Sequence, residues 1–305
     1  MTQLEGRAPA AGGAQDVIHD IGYRHYDGPR LGRAYARRSL FTQSLRGAYG
    51  LGRSVKSKVL PMTLFAVMCA PAAIIVAVAI GTKMTKLPIE YTRYAIIMQA
   101  VIGLFLAAQA PTAVSLDLRF KTTPLYFSRP IEAVDYVAAK FAALTSALFI
   151  LTATPVLVLY IGALLAKFDF SDQTSGFAKA LLAELLLSML YAGVGLVIAA
   201  LTPRRGFGVA AIIAAFTLPY GAVSSVQAVA SVQGDKDVVG WLGLFSPITL
   251  IDGAQTWVLG ASSSFVDAAG PPNAVAGAAY VVVLLVAIAG SFGLLMRRYR
   301  KAVLS

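Results

Sequence analysis

Glu184 is the one ionisable side chain set clearly inside a long apolar run of this chain. A carboxylate in hydrocarbon is costly to keep, which makes it a functional candidate. Its place three to five residues from the outer end of its run leaves a second reading open, in which it snorkels to the surface or pairs with Lys179. Uncharged polar groups sit in two other runs: Gln99, Gln109 and Ser115 in one, Thr217, Tyr220, Ser224, Ser225 and Gln227 in the other. They either line a path or hydrogen-bond between helices. Catalytic chemistry is poorly supplied. His19 and His25 precede every apolar run, so no imidazole is placed inside the membrane for haem, zinc or general-base work. Cys69 is the only cysteine and reads as packing rather than as a nucleophile. The sequence contains no Gly-Lys dipeptide, no HExxH and no GxSxG, so it lacks a P-loop and the two common hydrolase signatures. The chain is expected to be no enzyme by itself, to hold no metal and to bind no cofactor.

These residues need elements to position them, and composition says which. Of 305 residues, 57% are hydrophobic and 13% are charged, about half the charge of a soluble globule. Mean hydropathy is +0.70. A hydrocarbon core of about 30 Å takes roughly 20 apolar residues per helix. Six runs qualify, at 59–81, 94–116, 141–166, 180–201, 206–230 and 274–296. Backbone groups in lipid must be paired internally, so each run is predicted to be a helix. Pro71, Pro111, Pro155 and Pro219 fall inside these runs and are expected to kink rather than break them. Ala192, Gly193 and Gly195 in the fourth run, with Ala287, Gly290 and Gly293 in the sixth, are the small residues expected to let helices approach closely.

The net charge of +11 is sided. Residues 1–58, the 117–140 loop, Arg204 with Arg205, and the 297–305 tail together carry twenty Lys and Arg, against six in the alternate loops. By the positive-inside rule the first set faces the cytoplasm, with both termini there. No stacking platform or reader motif accompanies the basic stretches, so nucleic acid is not an expected partner. Residues 1–58 contain no secretory cleavage pattern, and the first span is expected to act as an uncleaved anchor. From Asp27-Gly28-Pro29, a helix is predicted with Leu31, Tyr35, Phe41, Leu45 and Tyr49 on one stripe and Arg30, Arg33 and Arg37 on another face. This is either an interfacial helix on the inner leaflet or a solvated basic linker.

Two further segments are patterned. In the 117–140 loop, Thr123-Pro124 and Pro130 read as helix starts. Between them Leu125, Tyr126 and Phe127 form an apolar knob flanked by Arg119, Lys121 and Arg129. The knob either docks on another protein or lies among headgroups. Residues 231–273 carry two apolar stretches, 238–245 and 248–259, separated by Ser246-Pro247. Both are too short to span and are predicted to be re-entrant or interfacial. They place Trp241 and Trp257 at the water boundary and Asp252 near the outer mouth.

The segments Ile18-His-Asp-Ile-Gly-Tyr-Arg-His-Tyr-Asp-Gly-Pro-Arg-Leu-Gly-Arg33, Pro124-Leu-Tyr-Phe-Ser-Arg-Pro-Ile131, Asp135-Tyr-Val-Ala-Ala-Lys140, Arg204-Arg-Gly-Phe-Gly208 and Phe245-Ser-Pro-Ile248, in that order between six spans, resemble the permease subunits of bacterial, largely actinobacterial, ABC-2 type transporters. The resemblance covers nearly the whole chain. It implies an all-α integral membrane fold like that of type V exporters, with six spans, an N-terminal interfacial helix and outer re-entrant helices, in a bacterial plasma membrane. It further implies a second permease subunit, as homodimer or heterodimer, and two ABC ATPase subunits that carry ATP and Mg. Thr123, Pro124, Leu125, Tyr126, Phe127, Ser128 and Arg129 would form the coupling helix seated in the ATPase. The second and fifth spans would line the pathway, which raises Gln99, Gln109, Thr217, Tyr220 and Gln227. Members of this family mostly export, and their cargo ranges from drugs and antibiotics to lipids, glycans and ions. The competing reading is a self-sufficient secondary transporter or channel.

Overall fold

The computed structural model describes residues 28, 31–120, 126, 131–202, 204–265 and 270–304. Contacts divide the chain after Leu31, and the description below concerns Gly32 onward. It contains ten α-helices among the described residues: α1 (Arg33–Ala48), α2 (Val55–Gly81), α3 (Tyr91–Ile97), α4 (Gln99–Arg119), α5 (Ala133–Leu165), α6 (Phe170–Leu201), α7 (Arg205–Val232), α8 (Lys236–Leu242), α9 (Pro247–Leu259) and α10 (Ala274–Leu304). Among those residues there is no strand. Five of the helices (α2, α5, α6, α7 and α10) are long and apolar enough to cross a membrane, and α3 with α4 makes a sixth span if the bent pair is counted as one. The protein is an α-helical membrane protein.

The helices outrun the apolar windows that announce them. The third span begins at Ala133 rather than 141 and the fourth at Phe170 rather than 180. Hydropathy marks where lipid is, whereas helical hydrogen bonding continues past it wherever a cap is supplied. Glu132 and Asp135 make a reciprocal capping box at the start of α5, and the Asp169 carboxylate accepts the Asp172 N–H at the start of α6. The prolines at 71, 111, 155 and 219 all lie inside continuous helices, as expected.

The second span departs from expectation. Instead of one helix over 94–116, the chain bends by 59° between α3 and α4. No proline or glycine marks the break at Met98. Tertiary anchors supply the cause: the Tyr94 hydroxyl donates to the Met68 carbonyl on α2 at 2.6 Å, and Tyr91 donates to Gln173 Oε1 on α6 at 2.5 Å. Five of the seven α3 residues are buried by this docking.

The core is centred on α6, of whose apolar window 56% is buried, whereas α7 buries 17% and α2 22%. Close approach is achieved where the small residues of α6 were expected to act: a β-carbon on Gly195 would strike Leu106 of α4, and one on Gly193 would strike Ser291 of α10. In the sixth span Ala287 packs against the core, but the two glycines do not. Gly290 and Gly293 are exposed with nothing near them, because α10 packs through Ala276, Tyr280, Leu284, Ile288, Ser291, Leu295 and Tyr299. That series repeats every three or four residues and places both glycines on the opposite face.

Candidate functional site

Six described segments meet at one end of the bundle: α1, the start of α2, the end of α4, the start of α5, the end of α6 and the end of α10. Gly50 and Gly52, at φ +67° and +83°, turn the chain from α1 into α2, using a conformation that only glycine adopts freely. Helix α1 does not float on the surface. Leu40 and Ala48 are buried, Phe41 and Leu45 are half-buried, and the Tyr49 hydroxyl donates to the Ala147 carbonyl of α5 at 2.7 Å. Tyr35, placed on the expected stripe, is exposed, because the docked face runs through Ala36, Leu40, Ser44 and Ala48 at the four-residue spacing of a helix.

Of the arginines expected to face headgroups, Arg33 and Arg37 are engaged instead, and Arg30 lies outside the described residues. Arg33 Nε donates to Asp135 Oδ2 at 2.6 Å, Arg33 Nη1 donates to Glu132 Oε1 at 2.5 Å, and Arg37 lies 3.7 Å from Asp135. The hydrogen bonds from Asp135 and then Glu132 hold the Arg33 guanidinium above its ordinary pKa, so it stays a cation. Asp135 is buried and also accepts the Glu132 N–H at 3.2 Å. One carboxylate therefore caps α5 and clamps α1.

A second ionic contact closes the base of the 121–130 loop. Lys140 Nζ of α5 lies 3.1 Å from Asp117 Oδ2 of α4. The Tyr136 hydroxyl donates to the same oxygen at 2.5 Å, and the ammonium sits 5.4 Å from the Tyr136 ring centre. The Tyr136 ring packs at 4.8 Å on Tyr299 of α10 and at 5.5 Å on Tyr126. Lys140, Asp117, Tyr126 and Gln109 also line a cavity of about 130 Å³ that opens beside α1. Of the expected coupling residues, Tyr126 is the one described, half-buried against Tyr136. Thr123, Pro124, Leu125, Phe127, Ser128 and Arg129 lie outside the described residues. The Asp117–Lys140 pair was visible in the sequence only as two charges bracketing the loop.

Glu184 keeps its place near the start of the apolar run but is buried rather than at the surface. It is fourteen residues into α6, about 21 Å from the helix start at 1.5 Å per residue, and only 2% exposed. Lys179 is exposed and makes no ion pair among the described residues. The surface and pairing reading is thereby overturned. The reason is that α6 turns this face toward α5. Among the described residues neither carboxylate oxygen has a hydrogen-bond partner. Thr152 of α5 is its polar neighbour, but that hydroxyl donates to the Phe149 carbonyl at 3.3 Å. Ser188, one turn along α6, is also buried and unpartnered.

The five candidate pathway residues do not converge. Gln99 sits at the α3–α4 bend. Gln109 lines the cavity beside α1. Thr217 is exposed on α7 and donates to the Ile213 carbonyl of its own helix at 2.8 Å. The Tyr220 ring lies 5.8 Å from Phe265, and Gln227 Nε2 donates to the Val239 carbonyl at 2.8 Å, tying α7 to α8.

At the opposite end, α8 and α9 form the two short helices expected of 231–273, with a 3₁₀ turn at Gly243–Phe245 between them. At thirteen residues, α9 reaches about 20 Å, less than a span. Asp252 is buried rather than open at a mouth, and accepts from Ser263 Oγ at 2.6 Å, Ser264 N at 3.0 Å and Gln255 Nε2 at 3.1 Å. Glu90, just before α3, accepts from the Ser262 hydroxyl and N–H. Among the described residues no cluster of His, Cys, Asp and Glu is grouped to hold a metal ion. Neither the protein-family models nor the curated proteins match this chain.

Proposed function

We propose that this chain is the permease subunit of an ATP-driven ABC-2 type exporter, paired with a second permease and coupled to two separate ATPase subunits. The observation that carries the reading is the closure at the base of the 121–130 loop. A push on that loop is delivered through Tyr126 and Tyr136 to α5, through Asp117 to α4 and through Tyr299 to α10. Through Asp135 the start of α5 is also tied to α1. A loop so connected suits a lever worked from outside the membrane. In this reading ATP is hydrolysed on a partner, in keeping with the missing P-loop, and the loop and α1 face the cytoplasm. ATP-driven closure of two cassettes would draw two such loops together and rearrange the spans from inward-open to outward-open. Helix α7 exposes Thr217, Gly221 and Ser225 on one face, and this face suits a second permease across a shared pathway.

The test is co-purification with an ATPase encoded beside this chain. Tyr126→Asp with Phe127→Asp is expected to abolish the complex while the permease still folds. An intact complex in that double variant would sink the docking assignment.

A second reading is favoured by one observation, the buried and unpartnered Glu184. A carboxylate at that depth suits a self-sufficient transporter that binds a coupling ion. Proton- or sodium-driven uptake into liposomes by the purified chain alone would select this reading over the first.

A further inference from the structure

Where the ends of α6 and α10 lie side by side, they leave a groove of about 210 Å³ open to the surroundings. Its walls change character along their length. Val197 and Leu294 line the part nearer the bundle middle, and Leu201, the last residue of α6, lies with Arg297, Arg298 and Lys301 at the helix ends. Leu294 to Lys301 spans about 10 Å of helix, the distance over which a bilayer passes from acyl chain to headgroup.

Arg297, Arg298 and Lys301 share the lack of an ion pair with Arg38, Arg46 and Arg53 among the described residues, and are set apart by lining one groove together with apolar side chains. Arg33, Arg37 and Lys140 are each paired with a carboxylate, whereas Arg297, Arg298 and Lys301 make no ion pair among the described residues. Nor does the sequence supply an acid nearby on either strand of the groove. Between Glu184 and Asp235 there is no Asp or Glu, and none follows Asp267. Arg204 and Arg205, just beyond Leu201, add charge of the same sign. The apolar wall is equally unanswered, since Leu201 is 64% exposed and Leu294 56%.

We propose that this groove binds one anionic glycerophospholipid, its phosphate held by Arg297, Arg298 and Lys301 and one acyl chain laid along Val197, Leu201 and Leu294. Charge complementarity selects the occupant. A zwitterionic headgroup brings its own cation and gains little from three unpaired bases, whereas an anionic headgroup is attracted by each of them. Guanidinium groups add forked donors that match phosphate oxygens. The site does not depend on whether the chain works with an ATPase.

The experiment uses the full chain in detergent, titrated with phosphatidylglycerol, phosphatidylcholine or inorganic phosphate, with bound lipid counted by native mass spectrometry. Phosphatidylglycerol is expected to be retained at least tenfold more tightly than phosphatidylcholine, and millimolar phosphate is expected not to displace it. Arg297→Gln with Arg298→Gln and Lys301→Gln should bring the two lipids level. Leu294→Trp, on the exposed wall of the groove, obstructs it and keeps every charge, and should lower retention as much. Arg38→Gln with Arg46→Gln, exposed bases on α1, should leave it unchanged. Equal retention of both lipids by the parent chain would mean annular lipid only and overturn the proposal. So would displacement by free phosphate, or an equal loss in the α1 variant. If the triple variant aggregates, Leu294→Trp decides alone, and undiminished phosphatidylglycerol retention there overturns the site.

Discussion

Asp135 and Asp252 are equally buried, at 2% exposure each, at opposite ends of the same bundle, and are satisfied by opposite means. Asp135 is answered by Arg33 and Arg37, long cations reaching in from α1, a separate helix whose guanidinium groups stay about half exposed. Asp252 is answered by a hydroxyl, a backbone N–H and an amide, from residues within twelve positions of it in sequence. The first arrangement joins elements distant in sequence through flexible arms and water-accessible charge. The second welds a short local cap with rigid neutral donors. One end is joined by long charged arms and the other by short local donors.

The largest effect tests the rigid end. Asp252→Ala leaves the Ser263 hydroxyl, the Ser264 N–H and the Gln255 amide without their acceptor. At about 1–3 kcal/mol for a buried donor left unsatisfied, the cost should be about 3 kcal/mol after partial rehydration. A lowered unfolding midpoint and faster amide exchange over 259–265 are expected, and unchanged exchange there would contradict the welded cap. Arg33→Ala with Arg37→Ala tests the other end, since it strands the buried Asp135. Because both guanidinium groups are half exposed, the loss should fall below that of a fully buried pair, at about 2 kcal/mol. Faster exchange should be confined to α1 and the first turn of α5.

Between the two ends lies Glu184, a carboxylate with no partner. Glu184→Gln keeps its shape and removes a group that costs free energy to bury without a counter-charge. A rise of about 1 kcal/mol in stability is expected from chemical unfolding in detergent. A fall would reveal a partner bound to the native carboxylate, and would favour the ion-coupled reading. The smallest effect is Glu132→Gln. Its pair with Arg33 is exposed on both sides, with side chains 47% and 64% exposed, and should contribute less than about 0.5 kcal/mol. Raising the salt to about 1 M, where screening acts within about 3 Å, should reproduce that small loosening of α1 and leave 259–265 untouched.

Much of the fold was legible in the sequence because membrane partition is a sum over neighbouring residues. Runs of about twenty apolar side chains identify a span whatever they pack against, and the short stretches around Ser246-Pro247 announced two helices too short to cross. The functional site was less legible. Asp117 and Lys140, or Arg33 and Asp135, are separated by 23 and 102 positions and register in the sequence only as loop charge. Glu184 was noticed as a residue but its burial was not, since hydropathy does not say which face of α6 packs against α5.

The sequence alone therefore determined the solvent, the helical class and the absence of a nucleotide-binding loop, all properties that are local or additive along the chain. The tertiary structure decided the break at Met98, the face of α1 that docks, the burial of Glu184, and which bases find acids while Arg297, Arg298 and Lys301 find none. Each depends on which helix faces meet. That is a non-local choice, fixed by steric fit at glycines such as Gly193 and Gly195 and by single hydrogen bonds such as Tyr94 to Met68.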